Sequence, residues 1–180
     1  QTTESLSPRL IDRSWIVTLP EPNWSNFTSF NSPVPNSDDE NVRIISWKAL
    51  QEVFSYNNCW KDIELYEEKI GSILSDVYSN MKLLGLNPSP RTQKSIINYI
   101  AAATKWFEKE SEQTFSFNAA IDYAVLQKLL PSITVVGSKY KERLKELQNL
   151  CESNDLTLSA QTLSNIIEKG DSSMNLYSFF

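Results

Sequence analysis

Leu86-Asn87-Pro88-Ser89-Pro90-Arg91, with the run from Thr92 to about Glu108 behind it, decides how this chain is read. A serine side-chain oxygen can accept one of the amide hydrogens that a helix leaves orphaned at its start, and proline suits the first helical position. Ser89 and Pro90 therefore predict a helix start that places Arg91 in the first turn. The positive end of the helix dipole disfavours a cation there unless an anion such as a phosphate shares the site. A solvated surface arginine is the plain alternative. Behind Arg91, the residues Ile96, Ile97, Tyr99, Ile100, Ala103, Trp106 and Phe107 recur at helical spacing, an apolar stripe that docks one face of the helix and leaves Arg91 near one end.

The flanking segments repeat this grammar. Ser46 predicts a cap for a helix over 47–54, and Ile63, Tyr66, Ile70, Ile73, Leu74, Val77, Met81 and Leu84 predict a longer one from about Trp60 to Leu83, closed by Gly85. Asn118 predicts a cap for 119–130, where Ile121, Val125, Leu126 and Leu129 form one face and Pro131 stops the run. Gly137-Ser138 opens a helix over 139–152 with Tyr140, Leu144, Leu147 and Cys151 inward. Ser159 predicts a cap for a last helix to Glu168, with Gly170 as its end and a short strand over 176–180. Upstream, Ser7 and Pro8 predict a two-turn helix, and Trp15 to Leu19, rich in bulky β-formers, predicts a strand at an edge, unpaired or pairing with 176–180 or with another chain. The Pro-, Asn- and Ser-rich stretch that follows, with Trp24, Phe27 and Phe30, predicts a long connecting loop. The expected fold is mostly α, a multi-helix bundle with one short strand near each terminus. It divides into 1–19, the 20–45 loop, and a helical unit over 46–180.

Composition bounds the function. A length of 180 residues with 41% hydrophobic content suffices for one sizeable core. The net charge of -5 provides no general field for nucleic acid. There is no histidine, which removes the commonest general base and metal ligand, and Cys59 and Cys151 stand far apart, more consistent with free buried thiols than with zinc or a disulfide framework. No apolar run approaches a membrane span and no signal peptide is legible, so a cytoplasmic protein is expected. Two adjacent sequons, at Asn23 and Asn26, point the other way, but such triplets are frequent by chance in Asn- and Ser-rich loops. Triads that need histidine are excluded, and neither common glycine-rich phosphate loop occurs. Lys139, Lys141, Arg143 and Lys145 alternate with Glu142 and Glu146, which reads as an internally paired, solvated face. Three arginines remain for chemistry: Arg9, Arg13 and Arg91.

Thr2 through Arg13, Thr-Thr-Glu-Ser-Leu-Ser-Pro-Arg-Leu-Ile-Asp-Arg, followed by an apolar strand, resembles the stretch just after sensor 1 in AAA+ ATPases of the MoxR/McrB-like branch. Asn87-Pro88-Ser89-Pro90-Arg91-Thr92 resembles their sensor 2 segment. The run from Ala120 through Ile133 to Gly137-Ser138, and the ending from Leu158-Ser159-Ala160 to Ser178-Phe179, are similar to C-terminal stretches of restriction-associated members. The resemblance implies that Arg91 is the sensor 2 residue that contacts nucleotide phosphates, and that Arg13 is the arginine finger reaching a neighbouring subunit's nucleotide, with Arg9 as second choice. Walker A, Walker B and the sensor 1 asparagine are absent, so the chain would be the C-terminal piece of such an enzyme, the edge of its core plus the helical lid. That piece is expected to be inactive and to hold no cofactor alone. The parent would use ATP or GTP with Mg and form a homo-oligomeric ring, with a nuclease or other effector subunit and DNA as further implied partners and no membrane. Coupling of hydrolysis to remodelling or DNA restriction rests on this analogy. A self-contained helical adaptor without nucleotide dependence is the alternative.

Overall fold

The computed structural model of the protein describes residues 7–17, 46–53, 67–110 and 117–180. Seven α-helices and two short strands are present among them: α1 (Pro8–Arg13), α2 (Trp47–Val53), α3 (Glu67–Leu83), α4 (Pro90–Glu110), α5 (Phe117–Ala124), β1 (Thr134–Val136), α6 (Lys139–Ser153), α7 (Thr157–Ser172) and β2 (Leu176–Ser178). The expected mostly α fold with two short strands is the one observed. The 20–45 loop, Cys59 and the side chains of Trp106 and Phe107 lie outside the described residues.

Three helix starts follow the capping chemistry. The Ser7 hydroxyl accepts the Leu10 amide at 3.3 Å, Ser46 that of Ala49 at 3.1 Å, and Ser89 that of Thr92 at 3.1 Å. At the end of α3 the Leu86 amide donates back to the Met81 carbonyl and the Gly85 amide to that of Lys82, with Gly85 at φ +80°. This reversal needs a left-handed residue, which glycine supplies without steric cost. It delivers Leu86 to Ser89 directly to the start of α4.

One apolar core joins the elements. Ile70, Ile73, Leu74, Val77 and Met81 from α3 meet Ile96 and Ile100 from α4, Ile121 and Ala124 from α5, Leu144, Leu147 and Cys151 from α6, and Leu163, Ile166 and Ile167 from α7. These are the positions that the 3.6-residue period selects. β1 and β2 pair antiparallel with Val135 opposite Tyr177, both facing the core, while Thr134 and Ser178 pair on the outward side and Val136 and Leu176 flank them.

Five expectations differ from the structure in place or cause, the first being Asn118, which is the second residue of α5 and not its cap. Trp15 to Val17 runs without a ladder, its Ile16 amide bonded to the Gln127 carbonyl at 3.0 Å, and Thr18 and Leu19 lie outside the described residues. The partner of the C-terminal strand is β1. The helix opened by α5 does not run regularly to Leu130; it widens into a π turn over Val125–Leu129 and then tightens over Leu130–Ser132. Pro131 has no amide to give the Gln127 carbonyl four residues earlier, and Ile16 supplies the missing donor. Ser159 is not the cap of α7, which begins two residues before it. Its end is not at Gly170 either: the helix continues to Ser172, and the glycine is needed because the Tyr177 ring lies where a β-carbon would be, 2.0 Å from its ideal position.

Candidate functional site

The site is built where α1 meets the start of α4. Asp12, in the last turn of α1, aims its carboxylate at the α4 cap: its Oδ1 accepts a hydrogen bond from the Ser89 hydroxyl at 2.9 Å and a short one from the Thr92 hydroxyl. The Thr92 amide donates in turn to the Ser89 oxygen, so the cap and the carboxylate form one connected set. The hydroxyl donors of Thr92 and Ser89, followed by the nearby charges of Lys128 and Arg91, hold the Asp12 carboxyl below the usual carboxylate range against the opposing effect of partial burial.

Lys128 closes the other side. It is only 4% exposed, and its ammonium donates to the Asp12 and Ser14 carbonyls at 2.7 Å each. A cation over the last carbonyls of a short helix satisfies groups that the helix itself cannot and favours the negative end of its dipole. Burial lowers the Lys128 pKa from its ordinary value, with Asp12 opposing that shift. The stem of the docked segment continues through Trp15, whose ring lies 4.6 Å from that of Tyr99 on α4 and 5.8 Å from the Lys128 ammonium.

The three arginines stand around this junction. Arg9 and Arg13 are exposed and four residues apart, on one side of α1; Arg91 is exposed at the second position of α4. Among the described residues none of the three makes a hydrogen bond or a close ion pair. Arg91 is nevertheless near enough to Asp12 to stabilise its carboxylate. A negative group of the chain itself, Asp12, thus lies near this first-turn cation without pairing with it closely. This removes the need for a phosphate as the only explanation of Arg91, while leaving its guanidinium unbonded at the surface.

A cleft of about 460 Å³ opens beside the junction, lined by Ile11, Asp12, the 85–89 turn, Thr92, Lys128, Leu129, Ser132 and Thr134. Neither Asp12 nor Lys128 stood among the sequence candidates. Lys128 could have been found: it lies seven residues after Ile121 and three after Val125, on the face that otherwise points into the core, where a lysine demands partners. Asp12 had no comparable signal, because its partners lie 77 and 80 residues away.

Other chemistry is sparse. Burial pushes the Cys151 thiol up to about 12, so it is a packed side chain and not a nucleophile at neutral pH. Among the described residues no three His, Cys, Asp or Glu side chains gather into a metal-binding group, and no helix is long and apolar enough to cross a membrane. Of the basic residues of α6, Arg143 pairs with Glu146 and Lys145 with Glu142 as expected, while Lys141 reaches Asp171 on α7 and Lys139 lies over the Tyr140 ring.

Comparison with known families places residues 42–175 in a match to one described as a domain of unknown function, DUF8727. The match includes Ser89, Arg91, Thr92 and Lys128, while α1 with Arg9, Asp12 and Arg13 precedes it. Searches of curated proteins and of solved structures found no match.

Proposed function

We propose that this chain, which belongs to the DUF8727 family of domains of unknown function, serves as the helical lid and adjoining core edge of a ring-forming nucleotide hydrolase. The observation that carries the reading is the pair of exposed guanidiniums, Arg13 ending α1 and Arg91 opening α4, held around one hydrogen-bonded junction with neither consumed by a close partner among the described residues. Arginines serve such enzymes by neutralising charge that spreads over the transferred phosphoryl oxygens, and their placement is most of what the protein contributes. In this reading Arg91 faces the nucleotide of its own subunit and Arg13, with Arg9 behind it, faces that of a neighbour.

ATP or GTP with Mg would supply the phosphoryl group and its charge-neutralising ion. The residues present fit only an accessory part of such a site. No glycine-rich phosphate cradle lies in these 180 residues, so the guanidiniums would meet phosphates that other parts of the enzyme hold. The natural setting would be cytoplasmic, with like subunits as neighbours, and with a nuclease or other effector subunit and DNA as further partners if the work done is restriction.

The isolated chain is therefore expected to turn over no ATP or GTP through repeated purification. In the assembled enzyme, Arg13→Ala should abolish hydrolysis with little change in nucleotide affinity, whereas Arg91→Ala should weaken both. Turnover by the purified chain, or unchanged turnover in both variants, would overturn the reading. A helical adaptor without nucleotide dependence would give the second of these results.

A further inference from the structure

The two hydrogen bonds from the Ser89 and Thr92 hydroxyls to Asp12, themselves linked by the Thr92 amide on Ser89, connect two segments whose arginines are read as serving different nucleotides. Asp12 immediately precedes Arg13, and Ser89 and Thr92 bracket Pro90 and Arg91. Lys128 fixes the other end of the same segment through the Asp12 and Ser14 carbonyls, and the Ile16 amide is bound to Gln127. With α1 only six residues long, its position is set by these contacts and by the Trp15 ring against Tyr99, since a helix of this length has little stability of its own.

We propose that Asp12 is a positioning residue that makes α1 and the first turn of α4 a single body, so that Arg13 and Arg91 are displaced together. Its functional consequence rests on the nucleotide-site reading above. A lid that shifts with the nucleotide of its own subunit would carry Arg13 with it and so change the neighbour's site, which is a coupling between adjacent sites through one two-ended element. Asp12 touches no reacting atom in this role. An asparagine in its place keeps an oxygen that can accept from both hydroxyls but loses the charge that faces Arg91 and Lys128; alanine loses both.

Amide hydrogen exchange on the full chain tests the junction without any nucleotide. Asp12→Ala should raise exchange at the α1 amides and at Ile16 by about tenfold or more, with Asp12→Asn between it and the wild type, and with the amides of α6 and α7 unchanged as a measure of intact folding. Thr92→Val, which removes one donor while keeping shape, should also raise exchange at α1. Unchanged α1 exchange in Asp12→Ala and Thr92→Val would overturn the proposal and leave the nucleotide reading standing. In the assembled enzyme, Asp12→Ala should lower turnover with Arg13 and Arg91 both intact, and Asp12→Asn should recover part of it. Faster α1 exchange with unchanged turnover in Asp12→Ala would overturn the positioning role. If Arg13→Ala and Arg91→Ala also left turnover unchanged, the nucleotide reading itself would be the part that failed.

Discussion

Two aspartates use the same device at different depths. Asp122, 3% exposed on α5, accepts the Leu158 and Ser159 amides at 2.8 Å each and its own carbonyl accepts the Ser159 hydroxyl, so the cap of α7 comes from another helix. Removing it leaves the buried Ser159 amide and the part-buried Leu158 amide without an acceptor, and Asp122→Ala should cost about 1.5–3 kcal/mol in a denaturant titration. A cost within the scatter of exposed substitutions would show that water replaces the cap freely. Asp12 is the more accessible case and responds to acid. Its folded-state pKa lies below the ordinary 3.8, so its contribution is complete above that value and is lost as the pH falls through the lower, folded one. The NMR signals of the α1 amides should keep their docked positions from neutral pH down to about 4 and move only in stronger acid. Release near pH 6 would mean that another group governs the junction.

At the level of elements, starts were more legible than continuations. Ser7, Ser46 and Ser89 cap where their side chains suggest because an N-cap bond is local, spanning three residues. Ser159 has the same chemistry at a different place: with Asp122 already bonded to the first turn of α7, its hydroxyl turns to the Asp122 carbonyl, a contact that no local rule predicts. Gly170 similarly resembled a helix end and is a packing position. Gly170→Ala should drive a methyl into the Tyr177 ring and cost about 1–3 kcal/mol, read as a lower denaturation midpoint. A neutral or stabilising result, which the better helix propensity of alanine would give in open space, would show that Tyr177 yields easily. β1 escaped notice for a related reason. Three residues between a proline-broken turn and Gly137 are too short for a pattern, and Val135 is committed to the core only because Tyr177 pairs with it.

For the whole molecule, the apolar period along α3 to α7 was enough to specify a helical bundle around one core, whereas the candidate site was legible only as three separate arginines. What joins two of them, Asp12 to Ser89 and Thr92, is a contact between segments almost eighty residues apart. The central claim is that Arg13 and Arg91 of one chain act on the nucleotides of two subunits, and subunit mixing tests it most directly. An assembled enzyme carrying Arg13→Ala, inactive alone, is mixed with one whose own nucleotide site is disabled but whose Arg13 is intact. Turnover should reappear in the mixture, because hybrid interfaces set an intact Arg13 beside an intact nucleotide site. Full turnover of Arg13→Ala before mixing, or no recovery at any ratio in mixtures shown to exchange subunits, would contradict it.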